Sequence, residues 1–196
     1  VDQSATAGGN DGTSWADAYL ELSDALGVAW AGDEIHVAAG TYVPDSSGLG
    51  EPRTATFELV SGVTIYGGFP AGGGAMEQRD AEVYVTTLSG DIGATGVASD
   101  NSYHVVTATV TNSAPVLDGF SIAGGNADGS GDDNKGAGIL NLGGDPRIMN
   151  TRVFGNTATD GAGMYSSGGN PVMVNVVFQG NASAGTGGGM SSYSTG

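Results

Sequence analysis

Apolar residues along this chain follow two periods. Trp15, Ala18, Tyr19, Leu22, Ala25, Leu26 and Ala29 recur at steps of three and four, which puts them on one stripe of a helix. Ser14 and Asp17 stand ahead of the stripe in the S-x-x-D capping pattern, and Gly32 offers a terminator. The spacing therefore predicts one amphipathic helix over about 15–30. Beyond it the pattern changes to short β-rich runs, several closed by glycine, over 34–37, 56–59, 63–66, 86–88, 103–106 and 116–122.

The last third repeats itself. Pro146 and Pro171 are 25 residues apart, as are Ile139 and Met164, Asn150 and Asn175, Val153 and Phe178, Gly155 and Gly180, and Asn156 and Asn181. A period of this size fits one coil of a parallel β-helix, in which each residue stacks about 4.8 Å above its counterpart one coil earlier. Leucine-rich repeats share the period but need a leucine framework that this chain lacks. Ile148, Met173, Val176 and Phe178 are expected to point inward, with Asn150 over Asn175 and Asn156 over Asn181 as side-chain amide ladders. Gly-Ala-Gly-Ile at 136–139 returns as Gly-Ala-Gly-Met at 161–164 and, one residue late, as Gly-Gly-Gly-Met at 187–190.

These observations give one all-β domain over 1–196: a right-handed parallel β-helix with a capping-helix region at 13–32, coils over 33–196 and a loop insertion at 127–135. A single helix ahead of many short strands is well placed to cover the otherwise unpaired first coil.

Composition narrows the function classes. The chain has 37 glycines, no cysteine, 21 acidic against 5 basic residues, and a formal charge of −16. Such a field repels phosphate backbones and anionic membranes, so no nucleic-acid partner is expected, and no run of 18 apolar residues predicts membrane insertion. Absence of cysteine suits export without oxidative folding, and the chain opens without a signal peptide, read as already removed. The repeat is still running at Gly196, which suggests further coils or end-to-end stacking into a homopolymer.

The paired Gly-Ala-Gly-Ile/Met motifs and Phe178-Gln179-Gly180-Asn181 resemble the GGA[ILM] and FxxN repeats of chlamydial polymorphic outer-membrane proteins, within the pectate-lyase-like β-helix superfamily. The stretches 11–18 and 32–42 are similar to the opening of many exported bacterial β-helix proteins. The first FxxN copy is degenerate, with Val153 where the motif has phenylalanine, and no copy reads GGA in full. The resemblance implies a fold and a bacterial surface or extracellular location far more than an activity.

Lyases of that superfamily use acidic clusters to hold calcium and a basic residue to abstract a proton. Arg147 and Arg152 read first as surface residues, Asp118, Asp145 and Asp160 as turn residues, and His36 and His104 as strand-surface positions. Asp128, Asp132 and Asp133, with Ser130 between, begin like a calcium loop, but Asp133 sits where an EF-hand needs glycine and Ile139 where it needs glutamate. A solvated acidic loop is the first reading there, and calcium at Asp128, Asp132 and Asp133 the second. The expected function is a non-catalytic extracellular or cell-surface scaffold for adhesion, coating or fibre formation. A carbohydrate-binding module with Tyr165 and Tyr193 on a glycan comes next, then a calcium-dependent polysaccharide lyase or glycoside hydrolase. An ice-binding Thr107, Thr109, Thr111 row comes last.

Overall fold

The computed structural model describes residues 1–6, 8–109 and 113–193, so Thr111 lies outside the described residues. Among them are sixteen strands and one α-helix, and the ladders between strands are all parallel. The largest sheet runs β1 (Glu34–Ala38), β4 (Thr64–Phe69), β7 (Val116–Asp118), β11 (Arg147–Phe154), β8 (Ser121–Ala123), β5 (Thr86–Ser89) and β2 (Gly40–Tyr42), with β14 (Val172–Gln179) also on β11. A second sheet holds β3 (Phe57–Glu58), β6 (Val106–Thr109), β10 (Ile139–Leu142), β13 (Met164–Ser167) and β16 (Met190–Tyr193). The third is β9 (Asn126–Ala127), β12 (Thr157–Ala158) and β15 (Ala182–Ser183).

The first half of β11 pairs with β7 and its second half with β8, while β14 takes the other edge along its whole length. Between the halves Asn150 adopts a left-handed backbone (φ 46°), and Asn175 does the same on β14 (φ 53°). Asparagine tolerates this conformation because its short amide bonds locally. Both strands therefore bend at one level, and the expected ladder forms there, with Asn175 Nδ2 donating to Asn150 Oδ1 at 3.0 Å. The second ladder forms too: Asn156 Nδ2 donates to Asn181 Oδ1 at 3.0 Å.

Parallel register stacks inward residues into columns. Ile35, Ile65, Leu117, Ile148 and Met173 face one another in sequence across the sheet. Tyr42, Leu88, Ile122, Val153 and Phe178 form a second column. Phe57, Val106, Ile139, Met164 and Met190 form a third. All three belong to a single core, with Met173, Phe178 and Met190 packed against it only partly buried.

The Gly-Ala-Gly motif has a separate reason at each position. Gly136, Gly161 and Gly187 need positive φ (58°, 58° and 65°). The middle Ala137 and Ala162 are fully buried in a small cluster with Ala127 and Ala158. At the third position a Cβ on Gly138 would meet the Gly163 carbonyl oxygen, and one on Gly163 the Gly189 carbonyl oxygen, both at backbone-to-backbone overlap.

The helix is shorter than its apolar stripe predicts. It spans Leu22–Val28, burying Leu22 and Ala25 and touching β3. Residues 13–21 form turns instead, because the Ser14–Asp17 pattern closes a loop: Asp17 Oδ1 accepts the Gly9 N–H (2.7 Å), and the Asp17 carbonyl accepts those of Asp11 and Gly12. Trp15 consequently leaves the stripe and packs on Phe69 with ring centroids 5.3 Å apart.

Truncation should follow the columns. Ile148→Ala, at a site with 0 % exposure, is expected to cost about 2–5 kcal/mol, whereas Trp30→Ala, at 79 % exposure, should stay within about 0.5 kcal/mol. Urea midpoints of the two variants check this, and equal losses would refute the column account.

Candidate functional site

Alternation along β1 turns Ile35 and Val37 into the core and leaves Glu34 and His36 facing the other way. The 8–17 loop and the helix rise beside that face and enclose a cleft of about 480 Å³, lined among others by Asp11, Trp15, Tyr19, Asp33, Glu34 and His36. His36 stacks on Phe69 (4.7 Å, 17° between planes) and lies 3.4 Å from Glu34. Trp15 Nε1 donates to the Gly74 carbonyl at 3.1 Å, which fixes the indole as one wall. Three carboxylates and three aromatic rings in one cleft suit a ligand with an apolar face and several hydroxyl donors. Period-two alternation could have paired Glu34 with His36 from sequence. The loop opposite could not be read, because its fold depends on side-chain hydrogen bonds rather than on periodicity.

The aspartates read as a calcium loop are held separately. Asp128 accepts from Arg53 Nη2 at 2.7 Å and from Asn126 Nδ2 at 3.0 Å, Asp132 pairs with Lys135 at 3.2 Å, and Asp133 faces His104 Nε2 at 3.7 Å. Gly131–Asn134 is a 3-10 turn, in which consecutive side chains point about 120° apart, so Asp132 and Asp133 diverge. Among the described residues no group of three histidine or acidic side chains is placed to hold a metal.

Other candidates also find structural partners. Arg147 and Arg152 are exposed as expected, Arg152 reaching Gln179 at 2.6 Å. Asp145 and Asp160 accept backbone N–H groups from Asn170 and Thr186, and these bonds hold the Asp160 carboxyl below the usual carboxylate range. Asp118 is no turn residue: it lies in β7, buried, and accepts from both Arg79 Nη2 (2.7 Å) and Asn150 Nδ2 (2.8 Å). Asp118 thus anchors the outer asparagine ladder to Arg79, whose sequence neighbourhood gives no hint of it. Tyr165 and Tyr193 lie with ring centroids 5.6 Å apart and planes tilted by 36°, but Tyr165 is buried and Tyr193 exposed.

Comparison with family models, with curated proteins and with solved structures returns no match for this chain.

His104 departs from the surface position expected of it. It is 8 % exposed, and its Nδ1 donates to the Gly136 carbonyl at 3.2 Å. Burial lowers its pKa from 6.5, outweighing the bond to Gly136 and the attraction of Asp133, so the folded state resists protonation. The unfolded chain takes up the proton first as pH falls, so stability is full above about pH 6.5 and declines below it towards the folded-state pKa. His104→Phe should flatten that decline between pH 7 and pH 5. Denaturant titrations across this range check it, and parallel profiles for parent and variant would show that His104 does not carry the dependence.

Proposed function

We propose that the chain is a right-handed parallel β-helix of pectate-lyase-like type and serves as a non-catalytic structural element of an exported or cell-surface protein. One observation carries the reading: three apolar columns and an asparagine ladder keep register across strands that lie far apart in sequence. Such continuity makes a stiff unit whose geometry is set by the backbone ladder rather than by any one site. The strands β14, β15 and β16 each pair on one side only among the described residues, and Met173, Phe178 and Met190 are only partly covered on that side. A second copy presenting parallel strands is the occupant suited to this edge, and a heterologous contact of that kind propagates along one axis.

The strong negative charge opposes association, so added salt should promote it by shortening the screening length from about 30 Å at 0.01 M to about 8 Å at 0.15 M. Light scattering and electron microscopy across that range should show growing linear assemblies. A species that stays monomeric at high concentration throughout refutes self-assembly. Turnover of an acidic or neutral polysaccharide, lost on Arg147→Ala or Arg152→Ala, would replace the structural reading with an enzymatic one.

The aromatic and acidic cleft favours a second reading, glycan binding. Calorimetry against neutral oligosaccharides should then give saturable binding that weakens at least tenfold in Tyr19→Ala. Binding that survives the change unaltered would place the glycan elsewhere.

A further inference from the structure

Five buried side-chain oxygens among the described residues lack a hydrogen-bond partner, and four of them fall between positions 91 and 102: Asp91 Oδ1, Asp100 Oδ1, Asn101 Oδ1 and Ser102 Oγ. Leaving such an atom dry and unpaired is costly, more so for a charged group, so four in one loop require an explanation. Asn101 is 7 % exposed and Ser102 fully buried.

The surrounding bonds fix all four residues on one loop against the Gly90 and Gly124 backbone. The second oxygen of each carboxylate is anchored on the same short turn, Asp100 Oδ2 accepting from the Ala94 N–H and Asp91 Oδ2 from the Gly96 N–H, both at 2.9 Å. Both carboxylates are thus tied to the 94–96 turn. Ser102 N–H donates to the Gly90 carbonyl at 2.8 Å, next to Asp91. Asn101 Nδ2 donates to the Gly124 carbonyl at 2.6 Å, and a Cβ on Gly90 would meet that same oxygen at 2.6 Å. Asn101 and Ser102 are thereby held close to the Gly90–Asp91 backbone, and Asn101 Oδ1 and Ser102 Oγ are buried without a partner.

We propose that Asp91, Asp100, Asn101 and Ser102 bind a divalent cation, calcium, through these four oxygens. Every atom offered is a hard oxygen ligand, two of them carboxylate, and neither nitrogen nor sulfur is present to favour zinc or copper. No salt bridge reaches either carboxylate among the described residues. The nearby guanidinium of Arg53 is spent on Asp128 and on the carbonyls of Asn101 and Asn126. One water molecule donates only two hydrogen bonds and brings no charge, whereas one cation serves all four oxygens and offsets both carboxylates. A loop with several irregular turns adapts to the six to eight ligands at about 2.3–2.6 Å that calcium takes, the rest coming from carbonyls and water. The small, rigid octahedron of magnesium fits it less well.

Calorimetry of the whole chain with calcium chloride, after chelator treatment and at constant ionic strength, tests the site. The expected result is one saturable calcium site and a higher melting temperature, neither reproduced by magnesium. The isosteric pair Asp91→Asn and Asp100→Asn should weaken binding at least a hundredfold, while Asp132→Ala with Asp133→Ala leaves it unchanged. Circular dichroism of the apo variants establishes that they fold. Should the double variant not fold, Ser102→Ala, which removes one ligand and no charge, should weaken binding at least threefold. No saturable heat from the parent overturns the proposal, as does calcium binding that persists at parental affinity in the Asp91, Asp100 or Ser102 variants. A melting shift matched by potassium chloride of equal ionic strength overturns it too, being general screening of the acidic surface.

Discussion

Everything in this molecule depends on parallel pairing in register. When β11 lies on β14 with Arg147 against Val172 and Val153 against Phe178, each side chain has its own counterpart as nearest neighbour at about 4.8 Å. An apolar residue then requires an apolar neighbour, because a polar one placed over Ile148 or Val153 would be buried without a partner. A polar residue can enter such a column only if it meets its hydrogen bonds, as Thr151 does opposite Val176 by donating to the Met149 carbonyl. An amide does this, since it carries donors and an acceptor together, and Asn156 over Asn181 uses both. A carboxylate cannot stack on a carboxylate. The outer ladder accordingly ends at Asp118, where Arg79 supplies the missing charge.

Register also decides where the chain has room for chemistry. Between β11 and β14 the repeat is tight, and its turns contain little beyond glycine, asparagine and the residues that hold them. Earlier steps are longer: Thr64 pairs with Val116, and Thr87 with Ser121, leaving stretches such as 70–85 and 91–102 outside the ladders. Arg79 and the Asp91–Ser102 oxygens arise there, as does the 128–134 loop with its Arg53 and His104 neighbours. Inserted segments are free of the like-on-like rule, so they can bring unlike groups together.

This division explains what was legible beforehand. The two asparagine ladders, the inward Ile148, Met173 and Phe178, and the one-residue slip at Gly187 were readable because a register error anywhere would expose a whole column. The helix boundary was misread because Trp15 and Tyr19 satisfy a helical period and yet are held in turns, where Asp17 captures backbone N–H groups better used by a helix. His104 and Asp118 were misjudged for one reason: their burial is imposed by Gly136 and Arg79, residues with no periodic relation to them. The cleft beside β1 combines a legible half, Glu34 and His36, with an illegible one, the 8–17 loop.

Charge completes the argument. Of the five basic residues, Arg53 and Arg79 are turned inward to neutralise Asp128 and Asp118 and to cap carbonyls, and Lys135 is spent on Asp132. Hardly any positive charge is left to offset the remaining acids, so the molecule carries a net field that no internal pairing relieves. Apolar columns and backbone ladders are indifferent to this field, which is why a scaffold held by them tolerates it. The inserted loops are not indifferent, because a carboxylate there is balanced only by what the loop itself brings or by an ion from solvent. Where a loop brings arginine, as at Asp118 and Asp128, an internal pair forms; where it brings none, as at Asp91 and Asp100, one oxygen of each carboxylate accepts a backbone N–H and the other is left buried without a partner.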